Sequence, residues 1–379
     1  MGWRAIPFPI KPLRVRQVPK PESQLYDSPR ILKAPFPRRR DFINTIHCGI
    51  DQVNIEEFRR TAFTPEKPIF IKGFKLQEDF SIPAATKWFQ RKGGNHISSL
   101  SPLTGRLVPS EYLSRFGDTT LPYEAVIESG EDFIQIWRNW PAAQHPYGDF
   151  TELLTLLSDI ASRRPPGSVP TFHRFNGPLS LLLQTYKSWP DSFHESNSLK
   201  LRLNPPQMPR LYIAQAQIAD LPQQLQDDLP TPRLVKEAGK GDIYGANIWM
   251  GIPETYTPLH KDPNPNLFVQ LAGEKDIRLL APEFGAKVFE EAQRKIGANS
   301  SPSIRGEEMM EGPEERALDK LVWSGIRPKA GPMHWGQTKR EGYHVRVFPG
   351  DALFIPKGWW HSIKSKGYGV NASVNWWFR

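Results

Sequence analysis

The feature that most restricts how this chain can fold is a series of short alternating segments in its second half. From residue 211 on, LYIAQAQI, GANIWMG, NLFVQLAG, KDIRLLAP, YHVRVF, DALFIP, WWHSIK and NASVNWWF follow one another with Gly, Pro and Asp between them. Period-2 alternation places successive side chains on opposite faces of a strand. Eight such strands, each too short to stand alone, fit a double-sheet jelly roll. The stretch 283–341 breaks the pattern. It is long, polar and strongly charged around RGEEMMEGPEER, and reads as an insertion over one end of the barrel.

The first half has a different texture. VNIEEFRRTAF (53–63) reads as a helix leading into a short strand, PIFIKGF (67–73). DFTELLTLLSDIASRR (149–164) reads as a helix with Asp149 and Glu152 placed as a capping box, and its leucines as core. FNGPLSLLLQTYKSW (175–189) reads as a further helix starting after Asn176. The expected organisation is a basic, Pro-rich tail at 1–40, a helical and mixed region at 41–210 packing on the barrel, and a β-barrel at 211–379 carrying the insertion 283–341. The fold class is mainly β with a helical N-terminal part.

A chain of 379 residues with 39% apolar content can bury a large core. Its single cysteine, Cys48, excludes an internal disulfide framework and every multi-cysteine zinc site, and favours a reducing compartment. The net charge of +9 is concentrated at one end: residues 1–40 hold ten Lys/Arg against Glu22 and Asp27, so the rest carries +1. The body therefore lacks the basic excess of a phosphate-binding surface, and no direct nucleic-acid binding is expected of it. Eight prolines among those forty residues favour extended backbone over a continuous helix. Pro7, Pro9 and Pro12 also break the amphipathic helix that a mitochondrial presequence would need. The expected location is intracellular, nuclear or cytoplasmic, with mitochondria as the alternative. No apolar run approaches the ~20 residues that span a bilayer, so no membrane association is expected.

The chemistry concentrates in TPLHKDPNPNLFVQLAGEK (257–275). With 9 His and 40 acidic residues, about one His-x-acid arises by chance, and His260-Lys261-Asp262 is the one present. Alone, it reads equally as a polar turn. In a strand, however, His260 and Asp262 project to one face, a spacing that suits two ligands on one cation. A third ligand must come from another strand, and the best candidate is His361 in GDALFIPKGWWHSIK. There Gly350-Asp351 and Pro356-Lys357-Gly358 make turns on either side of a buried strand. Two imidazoles and one carboxylate form the facial set of non-haem Fe(II) oxygenases, whereas zinc more usually takes a third nitrogen or a sulfur. Beside Trp359 and Trp360, His361 also reads as an amphipathic core histidine.

TPLHKDPNPNLFVQLAGEK, FPGDALFIPKGWWHSIK and VNASVNWWF together resemble the Jumonji C (JmjC) family of Fe(II)- and 2-oxoglutarate-dependent oxygenases, in the cupin superfamily. The likeness is greatest to the small hydroxylase branch that includes the factor inhibiting HIF. It covers about 211–379, with an echo at 53–73, and leaves out 1–40 and 283–341. It implies a double-stranded β-helix in which His260, Asp262 and His361 hold Fe(II). Lys275, helped by Thr257 and Tyr212, would take the distal carboxylate of 2-oxoglutarate. Asn266 and Asn375 would lie near the co-substrate and iron, and Trp249, Phe268 and Trp377 would line the cavity. For each of these, plain core packing or a solvated strand-end lysine is the competing reading.

The resemblance further implies O₂ as oxidant and a protein or peptide as substrate, with hydroxylation of a side chain as the outcome. Asp262 as the metal-binding acid matches the hydroxylase branch, whereas many demethylases use Glu there. A histone lysine demethylase of the same family and a catalytically inactive cupin-fold binding protein are the alternatives. Several small JmjC hydroxylases dimerise through helices that follow the barrel, and the last strand here runs to Arg379, so a monomer is expected.

Overall fold

The computed structural model describes residues 43–73, 82–92, 106–127, 171–187, 210–298, 310–323, 342–367 and 369–379. The tail 1–40, the capped helix expected at 149–164, and Glu307 and Glu308 lie outside them. Residues 34–379 group as one compact unit.

The first seven described strands are β1 (Asn44–His47), β2 (Ile69–Lys72), β3 (Phe89–Lys92), β4 (Arg106–Pro109), β5 (Thr120–Ile127), β6 (Thr171–Pro178) and β7 (Arg210–Gln217). Then come β8 (Ile243–Gly251), β9 (Tyr256–Lys261), β10 (Asn266–Ala272), β11 (Glu274–Leu280), β12 (Gly342–Val347), β13 (Ala352–Ile355), β14 (Trp360–Lys366) and β15 (Asn371–Phe378). β3 and β4 form a separate two-stranded sheet, bridged from Leu107 to Gly369. The remaining strands form a nine-stranded sheet, β1-β2-β13-β10-β15-β8-β7-β5-β6, and a four-stranded sheet, β12-β11-β14-β9.

Strands β8 to β15 thus divide four and four between two sheets, which is the jelly roll expected from the alternating segments. One assignment changes. LYIAQAQ, β7, is not a barrel strand but continues the large sheet beyond β8, and the eighth barrel strand is YTPLHK, β9. Pro258 and the polar residues around it blur the alternation of β9, and pairing with β14 makes it a strand.

Alternation decides which side chains enter the barrel. Leu279 and Leu280 of β11 pair with His361 and Trp360 of β14, so Leu279 and His361 point inward while Leu280 and Trp360 point outward. Inside, Phe268, Ile277, Leu279, Val345, Val347, Leu353 and Ile355 close the space between the sheets. Each such buried side chain contributes about 1.5–3 kcal/mol. Outside, helices Pro282–Ile296 and Gly312–Trp323 cover the four-stranded sheet through Val288, Phe289, Leu318 and Val322, packed on Leu259, Leu280 and Trp360. The described part of the 283–341 segment therefore lies against a sheet face. The other face of the large sheet packs on the N-terminal elements, among them the helix Ile55–Phe58 and the π-turn Arg59–Phe63 that follows it.

FNGPLSLLLQTYKSW departs from its expected helix. Thr171–Pro178 is a strand, and the helix begins at Leu179 and runs to Lys187. A residue preceding proline is pushed out of the α region, which keeps Gly177 extended. Phe175 is also held in the strand by stacking on Tyr123 of β5 at 5.2 Å and 7°.

Candidate metal centre

Two turns set the position of His361. Gly350 (φ 88°) and Gly358 (φ 77°) take left-handed backbone that a side chain would strain. Asp351 accepts hydrogen bonds from the Phe348 N–H and the Gly73 N–H and pairs with Lys72 Nζ at 2.9 Å, fixing the first turn against β2. The chain then enters β14, whose register sets His361 directly opposite His260 of β9. The two imidazole centroids are 4.1 Å apart.

Asp262 is the first residue after β9. It stands with its carboxylate 4.0 Å from His260 Nε2 (Oδ1) and 3.6 Å from His361 Nε2 (Oδ2). Among the described residues, this is the group of histidine and acidic side chains whose ligand atoms lie within 4.8 Å of one another. Each imidazole has its Nδ1 against the carbonyl two residues back, His260 on Pro258 at 2.8 Å and His361 on Trp359 at 3.3 Å. With Nδ1–H donated there, each Nε2 lone pair faces the carboxylate, the form a metal ligand needs.

The protonation states agree. Burial opposes ionisation of Asp262, but His361, His260 and the N–H donors of Trp377 and Asn266 overcome it and hold the carboxyl below its ordinary range. Burial, then the neighbouring His260, push the His361 pKa down, which keeps it neutral. Two imidazoles and an ionised carboxylate on one side of a cavity are the donor set of a facial, open Fe(II) site.

The amides expected near the co-substrate and iron, and two of the aromatics expected to line the cavity, are linked to Asp262 by hydrogen bonds. Trp377 Nε1 and Asn266 Nδ2 each donate to Asp262 Oδ2 at 2.9 Å. Asn375 Nδ2 donates to Asn266 Oδ1 at 3.2 Å, and Trp249 Nε1 donates to Asn375 Oδ1 at 2.7 Å. A hydrogen-bonded chain thus runs from β8 through β15 and β10 to the carboxylate, fixing which way it points.

Across the cavity, Lys275 is 1% exposed. Its Nζ donates to Ser373 Oγ at 2.7 Å and to the Tyr212 hydroxyl at 3.4 Å, and it lies over the rings of Phe268 and Tyr212. No carboxylate pairs with it among the described residues. Burial alone lowers its pKa from 10.5 to about 7. Burial also raises the Tyr212 pKa, keeping that hydroxyl neutral, and it bonds to the Thr255 side chain. Thr257 lines the cavity, but the hydroxyls that reach Lys275 are those of Ser373 and Tyr212.

A cavity of about 350 Å³ joins the centre to Lys275 and is lined by Trp249, Thr257, Phe268, Ile363 and Trp377. The segment after β11 adds Phe289, Met310 and Glu314 to its wall. Sequence reasoning missed Ser373 and Thr255. Ser373 was within reach, because it shares the inward face of β15 with Asn375 and Trp377 at period 2. Nothing local marks Thr255.

Fold and centre define a cupin-type barrel with a two-histidine, one-carboxylate cluster. Residues 170–379 match the sequence model of the family described as "Cupin-like domain", and the chain belongs to that family. Among curated relatives, Lysine-specific demethylase 8 of Danio rerio is 27% identical over 169 residues, 44% of this chain and 36% of the relative. Lysine-specific demethylase JMJ30 of Arabidopsis thaliana is 25% identical, over 44% of this chain and 33% of the relative. The Bifunctional peptidase and (3S)-lysyl hydroxylase JMJD7 of Homo sapiens is 24% identical, over 45% and 54%. The match thus spans roughly a third to a half of each relative's length. These similarities place the chain among JmjC cupin-like proteins. No helix among the described residues is long and apolar enough to cross a membrane.

Proposed function

We propose that this protein is an Fe(II)- and 2-oxoglutarate-dependent oxygenase that hydroxylates a side chain of a protein or peptide, within the hydroxylase branch that includes the factor inhibiting HIF. The observation that carries the reading is a pairing: the His260, Asp262, His361 cluster shares one cavity with a buried lysine that has no acidic partner among the described residues. A buried ammonium is costly without an opposing charge, and a dicarboxylate supplies one.

His260, Asp262 and His361 would hold the iron, and Lys275, Tyr212 and Ser373 would take the distal carboxylate of 2-oxoglutarate. When bound, iron and co-substrate supply the oxidising chemistry: O₂ is reduced, 2-oxoglutarate is decarboxylated to succinate and CO₂, and one oxygen atom enters a substrate C–H bond. The chain's own residues do the rest. Trp377 and Asn266 orient the Asp262 carboxylate. The Pro258 and Trp359 carbonyls fix the imidazole tautomers. Phe268, Ile363 and Trp249 keep the cavity dry, and Lys275 with its two hydroxyls sets where an anion can sit.

Side-chain hydroxylation is favoured over methyl-lysine demethylation because Trp249 and Trp377, held by hydrogen bonds to Asn375 and Asp262, narrow the cavity beside the cluster and suit it to a side-chain methylene. The demethylase reading rests on the names of four of the relatives. Incubation with methylated histone peptides and with a proteome extract, each followed by mass spectrometry, separates the two. The expected product is a stable gain of about 16 Da on a protein target. Efficient loss of about 14 Da from methyl-lysine, with no 16 Da adduct anywhere, would refute the hydroxylase assignment. His260→Ala and Asp262→Ala should each abolish succinate formation while leaving the barrel folded. Undiminished turnover in both would refute the metal assignment.

A further inference from the structure

One side chain beside the centre has no hydrogen-bond partner among the described residues. Asn247 on β8 is completely buried, and neither its Nδ2 nor its Oδ1 makes a hydrogen bond. A carboxamide offers two donors and two acceptor sites, and a buried one is almost always satisfied by protein or by ordered water.

Its position gives the orphan a meaning. Asn247 and Trp249 lie two apart on the inward face of β8, and Asn247 is directly opposite Asn375 of β15 in the register. Gly245, two residues the other way, faces Trp377. A Cβ built on Gly245 would come to 3.1 Å from Trp377 Cε3 and 3.6 Å from Asn247 Nδ2. The Asn247 carboxamide and the Trp377 indole therefore meet over the bare backbone of Gly245. Asn247 thus borders both branches that hold Asp262, namely Trp377 itself and the Asn375–Asn266 chain. Asn375 spends Oδ1 on Trp249 and one Nδ2 proton on Asn266, which leaves a lone pair and a proton of its carboxamide uncommitted opposite Asn247 in the register.

We infer that Asn247 holds a buried water molecule that bridges its carboxamide to Asn375, and that through this bridge Asn247 is a positioning residue for the Asp262 carboxylate. Such a water would find the two to four polar partners that buried waters typically have. The site explains why a strand otherwise lined inward by Gly245 and Trp249 carries an amide between them. The bridge itself is independent of the proposed iron chemistry, while its effect on a bound metal rests on that reading.

The experiment has two arms. A crystal structure of the wild-type protein should show an ordered water within hydrogen-bonding distance of both Asn247 and Asn375. Co(II) titration, followed by the visible d–d spectrum, then compares wild type with Asn247→Leu and Asn247→Ser. The leucine removes the amide at similar volume and should weaken Co(II) about 5–10-fold with altered band positions. The serine keeps a hydroxyl to hold water and should stay within about twofold of wild type. A merely structural role would change thermal stability and leave the cobalt spectrum and affinity unmoved. No water at Asn247, or wild-type cobalt spectra and affinities in both variants, would overturn the inference. Should Asn247→Leu not fold, the wild-type water and the serine variant decide it. Failure of the wild-type protein to bind Co(II) at all would count against the metal reading, and the crystallographic arm would still test the bridge.

Discussion

Lys275→Met should make the empty protein more stable and its co-substrate binding much weaker, two effects of opposite sign with one origin. Lys275 is 1% exposed and has no carboxylate partner among the described residues, and burial lowers its pKa from 10.5 to about 7. That displacement costs the charged form about 5 kcal/mol relative to the unfolded chain, an upper bound because the protein can relax around the charge. Because the folded pKa is below the unfolded one, the unfolded chain binds more protons at every pH between them. Wild-type stability therefore rises with pH from about 7 to 10.5. Methionine keeps the volume without the charge, so this slope should vanish and stability near pH 7 should increase by a few kcal/mol.

Binding runs the other way. A dicarboxylate stabilises the ammonium, so wild-type affinity for 2-oxoglutarate should fall by up to tenfold per pH unit above about 7 as the lysine must take up a proton. In Lys275→Met, affinity should drop by about 3–5 kcal/mol and lose this pH dependence. Anaerobic calorimetry on the Mn(II)-loaded protein between pH 6 and 9 measures both quantities, with urea unfolding of the metal-free protein for stability. Affinity within about twofold of wild type, or a variant whose stability keeps the wild-type rise with pH, would show that Lys275 is not the carboxylate's counter-charge.

Trp377→Phe removes one of the two donors to Asp262 and should weaken Co(II) or Fe(II) about tenfold while the Asn266 bond holds the carboxylate in place; metal titration measures it. Gly285→Ala should destabilise the protein by about 1–3 kcal/mol. A Cβ there would stand 2.1 Å from Trp360 Cδ1, and Trp360 adjoins His361, so denaturant unfolding should show the loss and metal affinity should fall with it.

Much of the barrel was legible in the sequence because its signals are local. Period-2 alternation and turn residues belong to each strand separately, and they marked β8 and β10 to β15 without reference to any partner. The chemistry of His260 and Asp262 was legible for the same reason, since two positions apart along a strand means one face. Where the sequence misled, a neighbour outweighed the local pattern. Leucines after Pro178 suggested a helix from Asn176, but pairing with β5 keeps 171–178 extended. β7 alternates as well as any barrel strand, yet it lies outside the barrel because β8 already pairs with β15.

Tertiary structure alone decided the rest. His361 is one of nine histidines, and only the β14–β9 register sets it opposite His260. Lys275 follows Gly273 and Glu274 like many solvated strand-end lysines, and its burial comes from the two sheets closing over it. Asn266, Asn375 and Trp377 have the composition of a cavity lining, but β9, β10 and β15 must align before the Asn266 amide and the Trp377 indole meet on one carboxylate oxygen with Asn375 behind Asn266. Residue type and local spacing fix what each side chain can do, whereas long-range pairing, with its large entropic cost, fixes which of them meet.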